Sequence, residues 1–281
     1  MQDGDAERWI DWGGQGPRLH FAHANGFPPR CYRELLEALS RSFRVGSWQG
    51  RPLWPCSRPD SIDSWRPLAD DLVDELSLMR WRGVVGVGHS LGGVLTLLAA
   101  ARSPELFSGL VVVDPVVFAG FRRWIWQLMK TTGQVGRLSL LQNARRRADR
   151  WPHRGAVRQT WMDKPFFASW TAASFDAYLE HGLRDGADGS VHLRYPKAWE
   201  ARIFELTPHN LWPEIQSIRV PILAVRGERS TTFLEGAARR MVRRCPAARC
   251  ETIKGSGHLV PMEKPAELGR LICDFANQLK G

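Results

Sequence analysis

Val84-Val85-Gly86-Val87-Gly88-His89-Ser90-Leu91-Gly92-Gly93 decides how this chain is read. Its first half is a short apolar run of β-branched residues, which predicts a buried strand. Gly88 to Gly92 then spells Gly-x-Ser-x-Gly, and a helical run follows from Leu91 to about Arg102. A serine on so sharp a strand-to-helix turn has its hydroxyl held out at the sheet edge. Backbone passes close on both sides, so small residues are needed there, and Gly88, Gly92 and Gly93 supply them. The helix N-terminus behind Ser90 offers free N–H groups and partial positive charge to a developing oxyanion. Five-residue patterns of this kind recur by chance in about one chain in ten of this length, with Gly near ~7% of residues. The strand before it and the helix after it give the match its meaning.

Outward from that turn, apolar strands alternate with amphipathic helices. On the N-terminal side, Trp9 to Trp12 reads as a strand closed by Gly13-Gly14, and Leu19 to Ala22 as a second. His23-Ala24-Asn25-Gly26-Phe27-Pro28-Pro29 is a Gly/Pro loop with N–H groups turned outward. Cys31 to Ser42 reads as a helix with Leu35, Leu36 and Leu39 on one face, and Phe43 to Trp48 as a strand. The cleanest period lies between about Trp65 and Met79: Leu68, Leu72, Val73 and Leu76 form one stripe, with Asp70, Asp71 and Asp74 opposite. On the C-terminal side, Leu110 to Val113 is too continuously apolar for a one-faced strand and predicts one covered on both sides. After Pro115 the alternation stops. Residues 116–215 show helical patterns, among them a stripe of Phe121, Trp124, Ile125, Leu128 and Met129, and their tryptophans are expected to pack this segment onto the rest. Alternation resumes with a strand over 221–227, a helix over 232–244, a strand over 250–253 and a last helix from Pro265 to about Leu279. The fold class expected is α/β, a mostly parallel sheet with helices on both faces. Its core is expected in two parts, residues 1–115 and 216–281, with a helical cap, 116–215, inserted between them.

Composition narrows the function classes. The 281 residues carry 39 Lys and Arg against 29 Asp and Glu, a formal charge of +10. The longest basic run is only Arg145-Arg146-Arg147, and no nucleic-acid-binding motif accompanies it, so no nucleic-acid partner is expected. Five scattered cysteines without a Cys-x-x-Cys pair read as reduced thiols. Met1 to Arg8 is polar and acidic, unlike a signal peptide, and no run approaches the length of a transmembrane helix. A cytoplasmic protein without a membrane partner is expected, of no specified oligomeric state. No metal-ligand spacing or dinucleotide fingerprint is present, so neither metal nor cofactor is expected.

A serine hydroxyl is a poor nucleophile until a base takes its proton, and that base is usually a histidine oriented by a carboxylate. Of the eight histidines, His258 is the best placed: it follows a strand, lies in the Gly-rich loop Lys254-Gly255-Ser256-Gly257, and precedes the final helix. Strand C-terminal ends are where an α/β sheet gathers its site.

Together these residues resemble the α/β-hydrolase superfamily in its cap-bearing branch, over 18–115 and 216–279. Gly88 to Gly93 resembles the nucleophile elbow, Gly255 to Glu263 the histidine loop, and His23 to Pro28 the oxyanion loop. The resemblance implies that Ser90 attacks an acyl carbonyl and His258 carries its proton. It implies that the N–H of Leu91 forms half the oxyanion hole, and that Asn25, or else Phe27, supplies the other half. His23 and His89 would fix loop geometry.

The acid departs from the family pattern. An Asp usually follows the strand that ends here at Arg226-Gly227, but the chain reads Glu228-Arg229-Ser230-Thr231-Thr232. Asp114, at the end of the strand after the elbow helix, is the first substitute. Glu228 is the second, and a Ser–His dyad the third. The resemblance thus implies a serine hydrolase acting on a small-molecule acyl substrate, a small or medium carboxylic ester, through an acyl-enzyme. Thioesters, lactones, carbon–carbon bonds and acyl transfer stay open, as does a non-catalytic ligand-binding protein. Ser90 argues against haloalkane dehalogenase and epoxide hydrolase chemistry, which in this superfamily uses Asp at that position.

Overall fold

In the computed structural model, residues 8–279 are described. Most of the polar leader Met1–Arg8 therefore lies outside the described residues. Ten strands run β1 (Trp9–Gly13), β2 (Arg18–Ala22), β3 (Arg44–Trp48), β4 (Val84–His89), β5 (Phe107–Val113), β6 (Arg150–Trp151), β7 (Leu183–Asp185), β8 (Val191–Leu193), β9 (Ile222–Gly227) and β10 (Ala248–Ile253). Seven of them form one sheet in the order β1-β3-β2-β4-β5-β9-β10. Only β1 is antiparallel to its neighbour; the remaining pairs are parallel.

Parallel strands must be joined by crossovers, and here these are helices: α1 (Arg33–Leu39), α2 (Arg66–Leu78), α3 (Leu91–Arg102) and α10 (Glu235–Arg244), with α12 (Pro265–Gln278) closing the chain. Both sheet faces are therefore covered, which explains the continuous apolar runs. In β5, Leu110 and Val112 join one core with α2, α3 and α10. Val111 and Val113 point the other way into a second core with α1 and α12. β9 repeats this, with Ile222 and Ala224 on the first side and Leu223 and Val225 on the second. The helix expected over Cys31–Ser42 is shorter: Pro29–Tyr32 winds as a 3₁₀ turn before α1. Pro29 opens that turn, a position where a missing N–H costs nothing.

Between β5 and β9 the chain leaves the main sheet. This excursion holds α4 (Gly120–Thr131), α5 (Ser139–Arg146), α6 (Arg154–Trp161), α7 (Ala172–His181), α8 (Lys197–Glu205) and α9 (Trp212–Ser217). It also carries a small antiparallel sheet, β6-β8-β7, which the helical reading of this segment did not contain. Strands of two and three residues are too short to show a period of two. Its tryptophans divide. Trp161, Trp199 and Trp212 are buried in the cores, as expected, whereas Trp126 lines the cavity that holds Ser90 and Trp124 faces solvent. On α4 the stripe is split: Phe121, Trp124 and Leu128 point outward, Ile125 is exposed yet lines that cavity, and Met129 packs inward. All five cysteines are free thiols.

Candidate active site

Ser90 sits between β4 and α3 with φ +54° and ψ −112°, a backbone that L-residues rarely adopt. Two contacts hold it there. Its N–H donates to the Val113 carbonyl at 2.9 Å, stitching the turn to β5. Gly88 and Gly92 let the chain fold this tightly: a Cβ on Gly92 would collide with the Ala22 carbonyl, and one on Gly88 with the Gly92 carbonyl. The turn is thereby pressed against the end of β2, where the His23–Pro29 loop begins.

Asp114 follows β5 directly, also left-handed at φ +46°, and its N–H donates to the Val225 carbonyl at 2.7 Å. Its side chain is fully buried. His258 reaches in from the loop between β10 and the short helix α11 (Val260–Glu263). The three side chains form a line. His258 Nδ1 lies 2.6 Å from Asp114 Oδ2, and His258 Nε2 lies 3.0 Å from Ser90 Oγ. A carboxylate only accepts, so Nδ1 carries the proton and Nε2 is left as the acceptor for the Ser90 hydroxyl.

Ser230 donates its hydroxyl to the same oxygen, Asp114 Oδ2. It lies in the stretch where the resemblance leads one to expect an Asp and the chain has Ser or Thr, so a hydroxyl from there supports a carboxylate supplied by the neighbouring strand. Glu228 is elsewhere: it is exposed, and its Oε2 accepts the Gly255 N–H at 2.9 Å. The geometry thus brings together Ser90, His258 and Asp114 and leaves Glu228 as a loop tie.

A second chain of hydrogen bonds runs beneath these residues. The Ala24 N–H donates to Tyr32 Oη at 3.0 Å, Tyr32 Oη lies 2.9 Å from His89 Nδ1, and His89 Nε2 lies 3.0 Å from the His258 carbonyl. Since a carbonyl only accepts, His89 donates from Nε2 and receives the Tyr32 hydroxyl at Nδ1. Burial, with His258 nearby, pushes the His89 imidazole down to about 3, so it is neutral and able to play both parts. One path therefore ties the first loop, the elbow and the histidine loop. His23 does similar work: Nδ1 donates to the Ala24 carbonyl at 2.9 Å and Nε2 accepts the Gly50 N–H at 3.1 Å. Burial lowers its imidazole to about 4. Tyr32 carried no sequence signal, because its partners lie on three separate segments.

Ser90, His258, Asn25, Phe27 and Leu91 line one cavity of ≈ 580 Å³. Its remaining walls are mainly apolar, including Trp65, Phe118, Trp126, Met129, Ile203 and Phe204, and its charged members are Arg122 and Glu200. Glu200 is part of a tether between the excursion and the first loop. Its carboxylate pairs with Arg147 at 2.7 Å, and its carbonyl accepts from Asn25 Nδ2 at 3.0 Å. The two candidate N–H groups of the first loop differ in state. The Phe27 N–H is bonded to the Ala24 carbonyl at 3.3 Å, whereas the Asn25 N–H has no backbone acceptor among the described residues.

A strand–serine–helix elbow with a histidine and a buried carboxylate in line defines an α/β hydrolase, and the chain belongs to that family: the alpha/beta hydrolase family model matches residues 21–271. Among its relatives, the esterase YbfF of Escherichia coli is 23% identical over 222 residues, 78% of this chain and 77% of that protein. Esterase Rv0045c of Mycobacterium tuberculosis is 24% identical over 268 residues, 94% of this chain and 84% of that protein. The solved structure of E-2-(acetamidomethylene)succinate hydrolase superposes with a TM-score of 0.75 at 20% identity, covering 96% of this chain and 94% of that one. These names support hydrolysis of small molecules as the activity class. No helix among the described residues is long and apolar enough to cross a membrane.

Proposed function

We propose that the chain is a serine hydrolase that cleaves a small or medium carboxylic ester through an acyl-enzyme. The observation that carries this reading is the line from Ser90 Oγ through His258 to Asp114, at 3.0 and 2.6 Å. In the acylation half, His258 Nε2 takes the hydroxyl proton as Ser90 Oγ bonds to the acyl carbon. The carbonyl electrons move onto oxygen, where the N–H groups of Leu91 and Asn25 receive the charge. Collapse breaks the ester C–O bond, and the proton on Nε2 goes to the departing alcohol. Water then repeats the sequence on the acyl-Ser90 ester and releases the carboxylic acid. Asp114 keeps the proton on Nδ1 and stabilises the imidazolium formed in each half.

The wall composition of the cavity supports an apolar acyl or alcohol group, and the excursion over residues 116–215 acts as a cap above it. Cytoplasmic residence belongs to this same reading. Labelling with a fluorophosphonate, read by peptide mass, tests the proposal. Rapid labelling confined to Ser90 and abolished in Ser90→Ala is expected, with turnover in an ester panel. A folded protein that neither labels nor turns over any ester, thioester or lactone would overturn it in favour of ligand binding without chemistry. Faster transfer to added alcohols than to water would make it an acyltransferase.

A further inference from the structure

Helix α4 turns an apolar stripe to the outside. Phe121, Trp124, Ile125 and Leu128 occupy one stripe at i, i+3, i+4 and i+7, and they are 76%, 58%, 41% and 62% exposed. The side facing the protein packs Trp126 and Met129 against the Val135, Leu141 and Ala144 cluster and adds polar contacts. Trp126 Nε1 donates to the Thr207 carbonyl at 2.9 Å, and Lys130 Nζ to the same carbonyl at 3.0 Å. A twelve-residue helix that turns four of its six large apolar side chains to water has a face that is complete only with a partner.

Charge says which partner. Residues 116–148 contain Arg122, Arg123, Lys130, Arg137, Arg145, Arg146 and Arg147 and not one Asp or Glu. Only Arg147 of these seven has an ion pair among the described residues. Beside Phe121, a surface groove is lined by Arg122 together with Arg240 and Arg243 of α10. Arg122 spends one N–H on the Thr231 carbonyl, which leaves its charge uncompensated. Ile125 belongs both to the exposed stripe and to the cavity that holds Ser90, so the apolar face runs on into the mouth of that cavity.

From this juxtaposition we infer that the α4 face docks on an anionic lipid surface. Phe121, Trp124 and Leu128 enter the acyl-chain boundary, and Arg122, Arg240 and Arg243 meet the headgroup phosphates. Large aromatic and aliphatic side chains on one side of a helix, with arginines at their margin, are the mark of a helix lying in a membrane interface. The sequence reading set membranes aside because it contains no spanning segment, and a surface-lying helix needs none. The inference stands apart from the proposed chemistry, since it concerns binding alone.

Vesicle flotation tests it, with the full-length protein on phosphatidylcholine alone and on phosphatidylcholine mixed with phosphatidylglycerol. Flotation should require phosphatidylglycerol and weaken with added salt. The triple variant Phe121→Ser, Trp124→Ser, Leu128→Ser should bind more than about tenfold more weakly, since withdrawing one large apolar side chain from water is itself worth about that factor. Arg240→Gln and Arg243→Gln should each weaken binding about fivefold on the anionic vesicles only. Thermal unfolding of each variant checks that the fold is kept. Absence of flotation, or equal flotation on neutral vesicles, overturns the inference. So does self-association of the wild type that the triple variant abolishes, which would make the stripe a contact between copies. Equal capture by soluble polyglutamate would assign the face to an acidic protein instead.

Discussion

Replacing Asp114 by Asn tests the proposed chemistry at its least expected residue. The substitution keeps shape and volume in a fully buried site and turns a charged acceptor into a neutral amide. Two losses follow. The imidazolium formed at His258 loses a carboxylate whose oxygen is 2.6 Å from Nδ1. With charge centres about 4 Å apart and an effective dielectric constant near 20, that is about 4 kcal/mol, or roughly a thousandfold in rate. In addition, the Asn amide can donate to Nδ1 and so favour the tautomer with its proton on Nε2, which cannot accept from Ser90. Together these approach the ~10⁴-fold loss known for the same change in a serine-protease triad. The expectation is a kcat lower by about 10³ to 10⁴ on a chromogenic ester with KM little changed. Glu228→Gln should stay within about twofold of wild type, as an exposed substitution whose amide oxygen still accepts the Gly255 N–H. If Asp114→Asn retained more than about a tenth of wild-type kcat, or if Glu228→Gln matched its loss, the assignment of the acid would be wrong.

Three further expectations concern the scaffold. His20, His23 and His89 are buried with imidazoles lowered to about 3, 4 and 3, chiefly by burial. The unfolded chain binds their protons near pH 6.5 and the folded chain does not, so stability falls as pH drops below about 6.5. At pH 5 each costs up to about 2 kcal/mol, and urea midpoints that do not move between pH 7 and pH 5 would refute this. Tyr32→Phe strands the Ala24 N–H and His89 Nδ1 in the interior, and should lower unfolding free energy by about 2–4 kcal/mol, measured by denaturant titration. Gly92→Ala drives a Cβ into the Ala22 carbonyl and should destabilise by about 3 kcal/mol or more while slowing fluorophosphonate labelling; an unchanged melting temperature would contradict the packing of the elbow.

What could be read beforehand follows the reach of each physical signal. The parallel sheet was legible because β4, β5 and β9 must be apolar on both faces, and an uninterrupted apolar run records that directly. The elbow was legible because close backbone approach permits only glycine at 88 and 92. His258 was legible from its place after a strand. Asp114 could only be offered beside Glu228, since nothing local tells which of two carboxylates at neighbouring strand ends points at a given histidine. Their separation came from burial, Asp114 within and Glu228 at the surface. The link through Tyr32 and the outward stripe of α4 were not legible. The first joins residues 24, 32, 89 and 258 across the fold. The second has the ordinary period of an amphipathic helix, and periodicity does not say which way the apolar side turns.

The placement of Asp114 has a mechanical consequence. The excursion departs at Pro115, one residue past the carboxylate, so any swing of it must pivot next to the acid. Asp114 is anchored against that leverage: its N–H is clamped to β9, its oxygen is held by Ser230 and His258, and the following proline stiffens the exit. Downstream, Val116 to Ala119 lead into α4, whose first residue, Gly120, is left-handed at φ +56°. The proton-transfer geometry is thus fixed by the sheet and not by the excursion that leaves it, as a door frame holds its shape whatever hangs from it.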